Sequence, residues 1–343
     1  MWAIGLMASR EAEREADRQA QVTSLDRLAI AAALLAWASL DTETLQVSFV
    51  TGVLPELITT LTSAQAQAAS LAADYIEESL VAQGAEPMGK IIIPQSFAGV
   101  SASGRELPGL LVQPLVRVMA GMSAGVSTPR AMASGADLLD SIMTTEIHDA
   151  ARSAEFTSIA ANAEAAGYDR VVEAGACSRC IVLAGRFYRW NAGFRRHPRC
   201  RCHHAVRMHA TEPQSSQEIF DSMSAKAQSR TFTNAGAASI RHGADIAQVV
   251  NARLGMTTAT VGGQKVATTT YGAGKRSYTG SIRREISRQR GDGRLVRAPR
   301  LMPEEIIRQS NGDRGLARRL LISNGYIVGN IKTLAAEVLT QSR

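Results

Sequence analysis

Aromatic side chains are scarce in this chain: Phe, Trp and Tyr make up 5% of its 343 residues. A β-sandwich or barrel draws its strands from aromatic and β-branched residues, so the shortage argues against one. Cysteine is absent outside Cys177–Cys202. A secreted disulfide protein spreads its staples along the chain, whereas clustered cysteines without a secretion signal favour metal. The apolar start, Met1–Met7, is too short for a signal peptide. The longest apolar run, Leu28–Leu40, is too short to span a bilayer and predicts a buried helix, so no membrane partner is expected. No Gly-x-Ser-x-Gly, His-Glu-x-x-His or phosphate loop occurs. Acidic residues are missing from 177–209, which holds eight arginines.

What is present is small and apolar. Hydrophobic residues account for 45% of the chain, and alanine crowds its first half. Close-packed helices suit that composition, and the expected class is mainly α, α+β overall. The formal charge is +7 and unevenly spread. Residues 257–343 carry 16 Lys/Arg against 6 Asp/Glu, a net of +10, which leaves −3 for 1–256. The two basic regions are candidate polyanion contacts; a solvated surface is the plainer alternative.

Punctuation by Gly and Pro divides the chain into 1–85, a helical protein-docking region; 86–170, a connector and long helices; 171–209, the cysteine module; and 210–343, a basic α+β region. In the first, Glu11–Gln21 is polar all round and predicts an exposed or partner-dependent helix. Thr23–Leu40 follows with Ser24 as cap, Pro55 interrupts Thr42–Leu61, and Ser63–Leu80 is amphipathic. In the second, Ile91–Ile93 is a candidate short strand and Leu110–Met122 a helix. Thr128–Gly167 predicts one or two helices broken near Gly135, capped at Thr128 and stopped by Gly167. Beyond the module, Ser215–Phe232 is helical with a Ser215/Glu218 capping box, and Thr233–Arg253 continues to a break at Gly243. Strands are expected at Thr258–Val261 and Lys265–Tyr271, mobility over Arg283–Pro299, and a last helix at Pro303–Ser323 with Leu316, Leu320 and Leu321 on one face.

The module reads Cys177-x-x-Cys180, a spacer, then Cys200-x-Cys202. Zinc takes four soft or borderline ligands in a tetrahedron. A CxxC turn supplies two thiolates, and positions i and i+2 of an extended segment face the same way, so the second pair can join them. Cys177, Cys180, Cys200 and Cys202 are therefore the expected ligands of a structural Zn2+. His197 and His204 are alternates, and bridges between the two pairs are the competing reading. Phe187, Tyr188, Trp190 and Phe194 suit a mini-core. Arg186, Arg189, Arg195, Arg196, Arg199 and Arg201 have no carboxylate near them in sequence, which points to nucleic acid or an acidic partner. A deaminase would need His-x-Glu, which is missing; His203, His204 and Asn191 are weak material for a nuclease. His148 and Asp149 predict a surface pair. No enzyme is expected.

At this module a resemblance becomes specific. Ala176-Cys177-Ser178-Arg179-Cys180, Leu183 through Phe194, and His197-Pro198-Arg199-Cys200-Arg201-Cys202 resemble the Cys-x-x-Cys and His-Pro-x-Cys-x-Cys signature of phage minor head proteins of the MuF type, in the version found in siphophages of actinobacteria. Phe97–Val100 and Leu107–Pro114 resemble their connector. Phe232–Ala237, Gly243–Arg253, Arg300–Glu305 and Gly325–Ile327 resemble their C-terminal half. The resemblance implies a minor capsid protein inside the virion head near the portal. It would assist head assembly and DNA packaging or exit, with the portal, the major capsid protein and packaged double-stranded DNA as partners. A virion-borne nuclease or toxin, and a free DNA-binding zinc protein, are the alternatives.

Overall fold

The computed structural model describes residues 2–87, 89, 92–172, 175–211, 215–261, 263–291 and 298–340. The chain is mainly helical with two small antiparallel sheets. It divides into two compact units: unit 1 is Met1–Glu173 with Gly185–Pro213, and unit 2 is Ala174–Ala184 with Gln214–Arg343. Residues 1–85 and 86–170 thus share one body.

Unit 1 begins with α1, Trp2–Ala38, which runs unbroken through Ser24. A short α2, Leu45–Ser48, leads through a π-turn at Phe49–Val53 into α3, Leu54–Gln83. Pro55 does not break this stretch. It sits in the first turn of α3 directly after the π-turn, whose wider register accommodates the residue that lacks an N–H. By length and composition Leu45–Gln83 passes for a membrane span, yet one face of it (Phe49, Leu57, Leu61, Ala64, Ala68) lies in the core of unit 1. Helices α4, Leu107–Leu111, and α5, Gln113–Ser123, part at Val112, one residue before Gln113-Pro114. Then α6, Thr128–Ala161, passes straight through Gly135.

The alanines explain the packing. Ala29, Ala33 and Ala36 of α1, Ala64, Ala68 and Ala72 of α3, and Ala151 and Ala154 of α6 are all buried and let these helices approach closely. Leu57, Leu61, Leu139 and Met143 fill the space between them, each contributing about 2 kcal/mol by burial. Gly135 is kept small by Trp37: a Cβ there would lie 2.5 Å from the indole. The apolar run of α1 is not wholly buried, for Leu28 is 69% and Leu35 74% exposed. The described side chains of Glu11–Gln21 are exposed or half-buried except Arg18, which is buried.

After α6 the chain forms a three-stranded antiparallel sheet in the order β2-β1-β3, with β1 Gly167–Val171, β2 Phe187–Arg189 and β3 His203–Arg207. Gly167 opens β1 rather than ending α6. A Cβ there would meet the Tyr188 carbonyl at 2.0 Å, so the close strand approach requires glycine. Ile92 and Ile93 are not in a strand, and Ile91 lies outside the described residues.

Unit 2 contains α7, Ser178–Val182, then α8, Ser216–Ser222, α9, Ala225–Phe232, α10, Asn234–Arg241, and α11, Ile246–Asn251. Ser215 precedes α8 but its side chain makes no cap bond, whereas Ser224, Thr233 and Asp245 do cap their helices. The chain turns at Gly243, as expected, with φ +90°. Strands β4, Met256–Val261, and β5, Gln264–Thr269, form the anticipated hairpin, joined by β6, Arg300–Leu301. The basic stretch from Arg283 is a helix as far as Arg290, within α12, Tyr278–Arg290; residues 292–297 lie outside the described residues. The expected last helix is two, α13, Pro303–Ser310, and α14, Arg314–Ser323, parted at Asn311, and α15, Ile331–Thr340, follows. Of its three leucines only Leu321 is fully buried. At the centre lies Arg300, 0% exposed. It donates to the carbonyls of Asn324, Tyr271 and Gly325 and to Gln248, and stacks on Tyr326 at 4.1 Å.

Candidate metal centre

Each cysteine pair is built by its own unit. In unit 2, Cys177 is the N-cap residue of α7 and Cys180 lies in its first turn. The two Sγ atoms are 3.6 Å apart. A disulfide would bring them to about 2.05 Å, whereas the edge of a zinc–thiolate tetrahedron with bonds of about 2.3 Å is roughly 3.8 Å. All four cysteines are free of disulfides, so the bridged reading is set aside.

In unit 1, Cys200 and Cys202 flank Arg201 in the turn that enters β3. Cys200 N donates to His197 O at 3.1 Å, and Arg199 adopts φ +60°, which closes the turn. The cysteines are 1% and 2% exposed. Two buried arginines hold them. Arg152 of α6 donates from Nη1 to the carbonyl of Cys200 at 2.7 Å and to that of Cys202 at 3.0 Å. Arg170 of β1 places Nη2 at 3.6 Å from Cys202 Sγ and 4.0 Å from Cys200 Sγ. Its guanidinium lies over Phe194, 4.2 Å from the ring centroid. A cation facing two sulfurs stabilises their thiolate forms, the forms that bind metal.

His197, the first alternate, lies in unit 1 with its Nδ1 2.7 Å from the Pro198 carbonyl. His204, the second alternate, is placed differently. Its Nδ1 is 2.7 Å from Glu155, and Glu155 also accepts from the His204 backbone N–H at 3.1 Å. Glu155 is fully buried and ion-paired with Arg18. Burial alone would raise its carboxyl pKa, but Arg18 and then His204 reverse this and bring it to about 2. Burial pushes His203 and His204 below the usual imidazole range, the nearby Glu155 opposing it in both cases. His148 and Asp149 are buried, not a surface pair. His148 Nε2 lies 3.8 Å from Asp26, and Asp149 pairs with Arg152.

The six arginines divide into two sets. Arg196 binds Asp149 at 2.5 Å, Arg199 binds Asp140 at 2.6 Å, and Arg201 binds Asp26 at 3.1 Å. Their carboxylates come from α1 and α6, far away in sequence, so these three need no acidic partner. Arg186, Arg189 and Arg195 are exposed, and Arg186 lies 5.5 Å from the Tyr188 ring. The aromatic mini-core holds in part. Tyr188 stacks on Tyr168 at 5.5 Å and Phe194 packs on both tyrosines, but Trp190 is 48% exposed.

Sequence reasoning missed Arg18, Arg152, Glu155 and Arg170. A signal was available: Asp149, Arg152 and Glu155 recur at i, i+3 and i+6, one face of an alanine-rich helix, where charge has no place unless partnered.

A family model described as VG15 protein matches residues 7–227, which takes in the cysteine segment and nearly all of unit 1. No curated protein and no solved structure matches the chain.

Proposed function

The chain belongs to the VG15 protein family, a family of phage proteins, and from that premise we propose that it is a structural minor capsid protein of a tailed-phage head. In this reading it sits inside the capsid near the portal and assists head assembly and DNA packaging or ejection. The cysteine segment carries the proposal. Its CxxC and HPxCxC pattern resembles that of phage minor head proteins. Its second cysteine pair is also anchored through backbone carbonyls by a buried arginine, the kind of support a structural staple needs.

We assign Cys177, Cys180, Cys200 and Cys202 as ligands of one structural zinc ion. Four thiolates would fill the tetrahedron and leave no open position on the ion for catalysis, so its role is structural. Exposed Arg186, Arg189 and Arg195 and the basic tail region would meet DNA phosphates, with affinity falling as salt rises. The portal and major capsid protein are the proposed protein partners.

Nuclease-treated virions tested by peptide mass spectrometry and by cryo-EM of the portal vertex decide the matter. The chain should copurify at low copy number, with density inside the head beside the portal. Its absence from purified virions would end the reading. One observation favours an enzyme instead: the Glu155–His204 pair is a carboxylate–imidazole arrangement of the kind that activates nucleophiles. Turnover of DNA or RNA by the pure chain, lost in His204→Ala, would establish it.

A further inference from the structure

We propose that α1 carries a self-association face, and that its occupant is a second copy of this chain lying antiparallel. From Leu28 to Leu40 the sequence holds no charged residue. One side of that run is used within unit 1, where Ala29, Ala33, Ala36 and Trp37 enter the core. The opposite side is open to water. Leu28 is 69% and Leu35 74% exposed, and Ala31 and Ala38 are exposed as well. Positions 28, 31, 35 and 38 advance by alternate steps of three and four, the spacing of a coiled-coil seam. A single exposed leucine needs no explanation, but two in register with exposed alanines make a continuous apolar stripe.

Size and charge both select the occupant. When a second α1 lies antiparallel, Leu28 meets Ala38 of the second copy and Ala31 meets its Leu35. Each large side chain then faces a small one, as close packing requires. A parallel pair would set leucine on leucine and leave alanine facing alanine. Arg27 is exposed beside the N-terminal end of the stripe, and Asp41 and Glu43 are exposed just past its C-terminal end. The Thr44 hydroxyl donates to Asp41 at 2.6 Å and the Glu43 N–H at 2.9 Å, which holds the Asp41 carboxyl below the usual carboxylate range and keeps it an anion at neutral pH. The antiparallel pair brings Arg27 of each copy to the acidic end of the other, two matched contacts about one two-fold axis. Nucleic acid would find no cation along the stripe, and a lipid surface needs more than one beside it. With four apolar residues from each copy the contact is at the small end of specific interfaces, so a micromolar dissociation constant is expected. The pairing does not require the chain to lie in a virion head.

Sedimentation equilibrium of the full-length protein is the test. Wild type should pass from monomer to dimer across the micromolar range. Leu35→Glu sets a carboxylate against the apolar stripe of the second copy and should weaken association by at least about tenfold. Its melting temperature as a monomer should match that of wild type, because the position faces water. Photocross-linking reads the orientation and leaves the four apolar positions intact, so it stands even if Leu35→Glu folds poorly. With p-benzoylphenylalanine in place of the exposed Ser24, a mixture of isotopically light and heavy protein should give mixed products attached near Thr42. A wild type that stays monomeric throughout that range would overturn the proposal, as would a dimer that survives Leu35→Glu or attachment near Ser24 in place of Thr42. Absence of the chain from virions with the dimer intact would overturn only the head-protein reading.

Discussion

Replacing Glu155 by Gln tests how the support of the Cys200–Cys202 turn is held together. Glu155 is wholly buried, pairs with Arg18, and accepts two bonds from His204. Its folded-state pKa of about 2 lies below the usual 4.5. The carboxylate therefore stabilises the fold in full above pH 4.5, and that contribution drains away as pH falls towards 2. The difference is worth about 3 kcal/mol at roughly 1.4 kcal/mol per pKa unit. Glu155→Gln removes the charge and leaves Arg18 buried without a carboxylate, a loss of about 3–5 kcal/mol at neutral pH. Urea denaturation followed by tryptophan fluorescence is the assay, because all three tryptophans, Trp2, Trp37 and Trp190, belong to unit 1. Wild type should lose about 3 kcal/mol through this group between pH 4.5 and 2. The variant should start lower and lack that part of the slope. A variant within about 1 kcal/mol of wild type at pH 7, with an unchanged acid limb, would refute the assignment of Glu155 as a buried anion.

Three further outcomes follow from the packing. Burial, and then Asp169, push the Glu15 carboxyl up to about 7, while Arg207, which also serves Asp169 and Glu11, lies 3.6 Å away. The raised value means stability is present below pH 4.5 and lost as pH rises through 7. Glu15→Gln should therefore make unit 1 more stable than wild type by roughly 1–3 kcal/mol above pH 7, read by the same denaturation assay. Gly135→Ala should lower the melting temperature despite a helix-propensity gain of about 1 kcal/mol, because its Cβ would lie 2.5 Å from Trp37 and 2.6 Å from Val118. Arg300→Met should destabilise unit 2 by several kcal/mol, since it leaves the carbonyls of Tyr271, Asn324 and Gly325 unbonded at about 1–3 kcal/mol each. Hydrogen exchange across α14 should rise in that variant and stay unchanged in α6.

The helical class was legible because alanine and leucine recur at helical spacing through 25–161, and the β4–β5 hairpin because Thr/Val runs flank a glycine pair. Breaks were harder to read. Pro55 and Gly135 look like interruptions locally, but a π-turn absorbs the first and Trp37 needs the second. The candidate ligands were visible in their spacing alone. Their support was not, because Arg152 and Arg170 reach the Cys200–Cys202 turn from a helix and a strand that sequence distance separates from it. The same blindness turned Arg196, Arg199 and Arg201 into candidates for an external acid, when Asp149, Asp140 and Asp26 already bind them.

The assigned site holds one ion on four thiolates, and metal analysis of the purified chain tests that assignment most directly. Plasma mass spectrometry should find about one zinc per chain in wild type and in His197→Ala, and none in Cys200→Ser. A metal-free wild type, or zinc that survives Cys200→Ser, would contradict it.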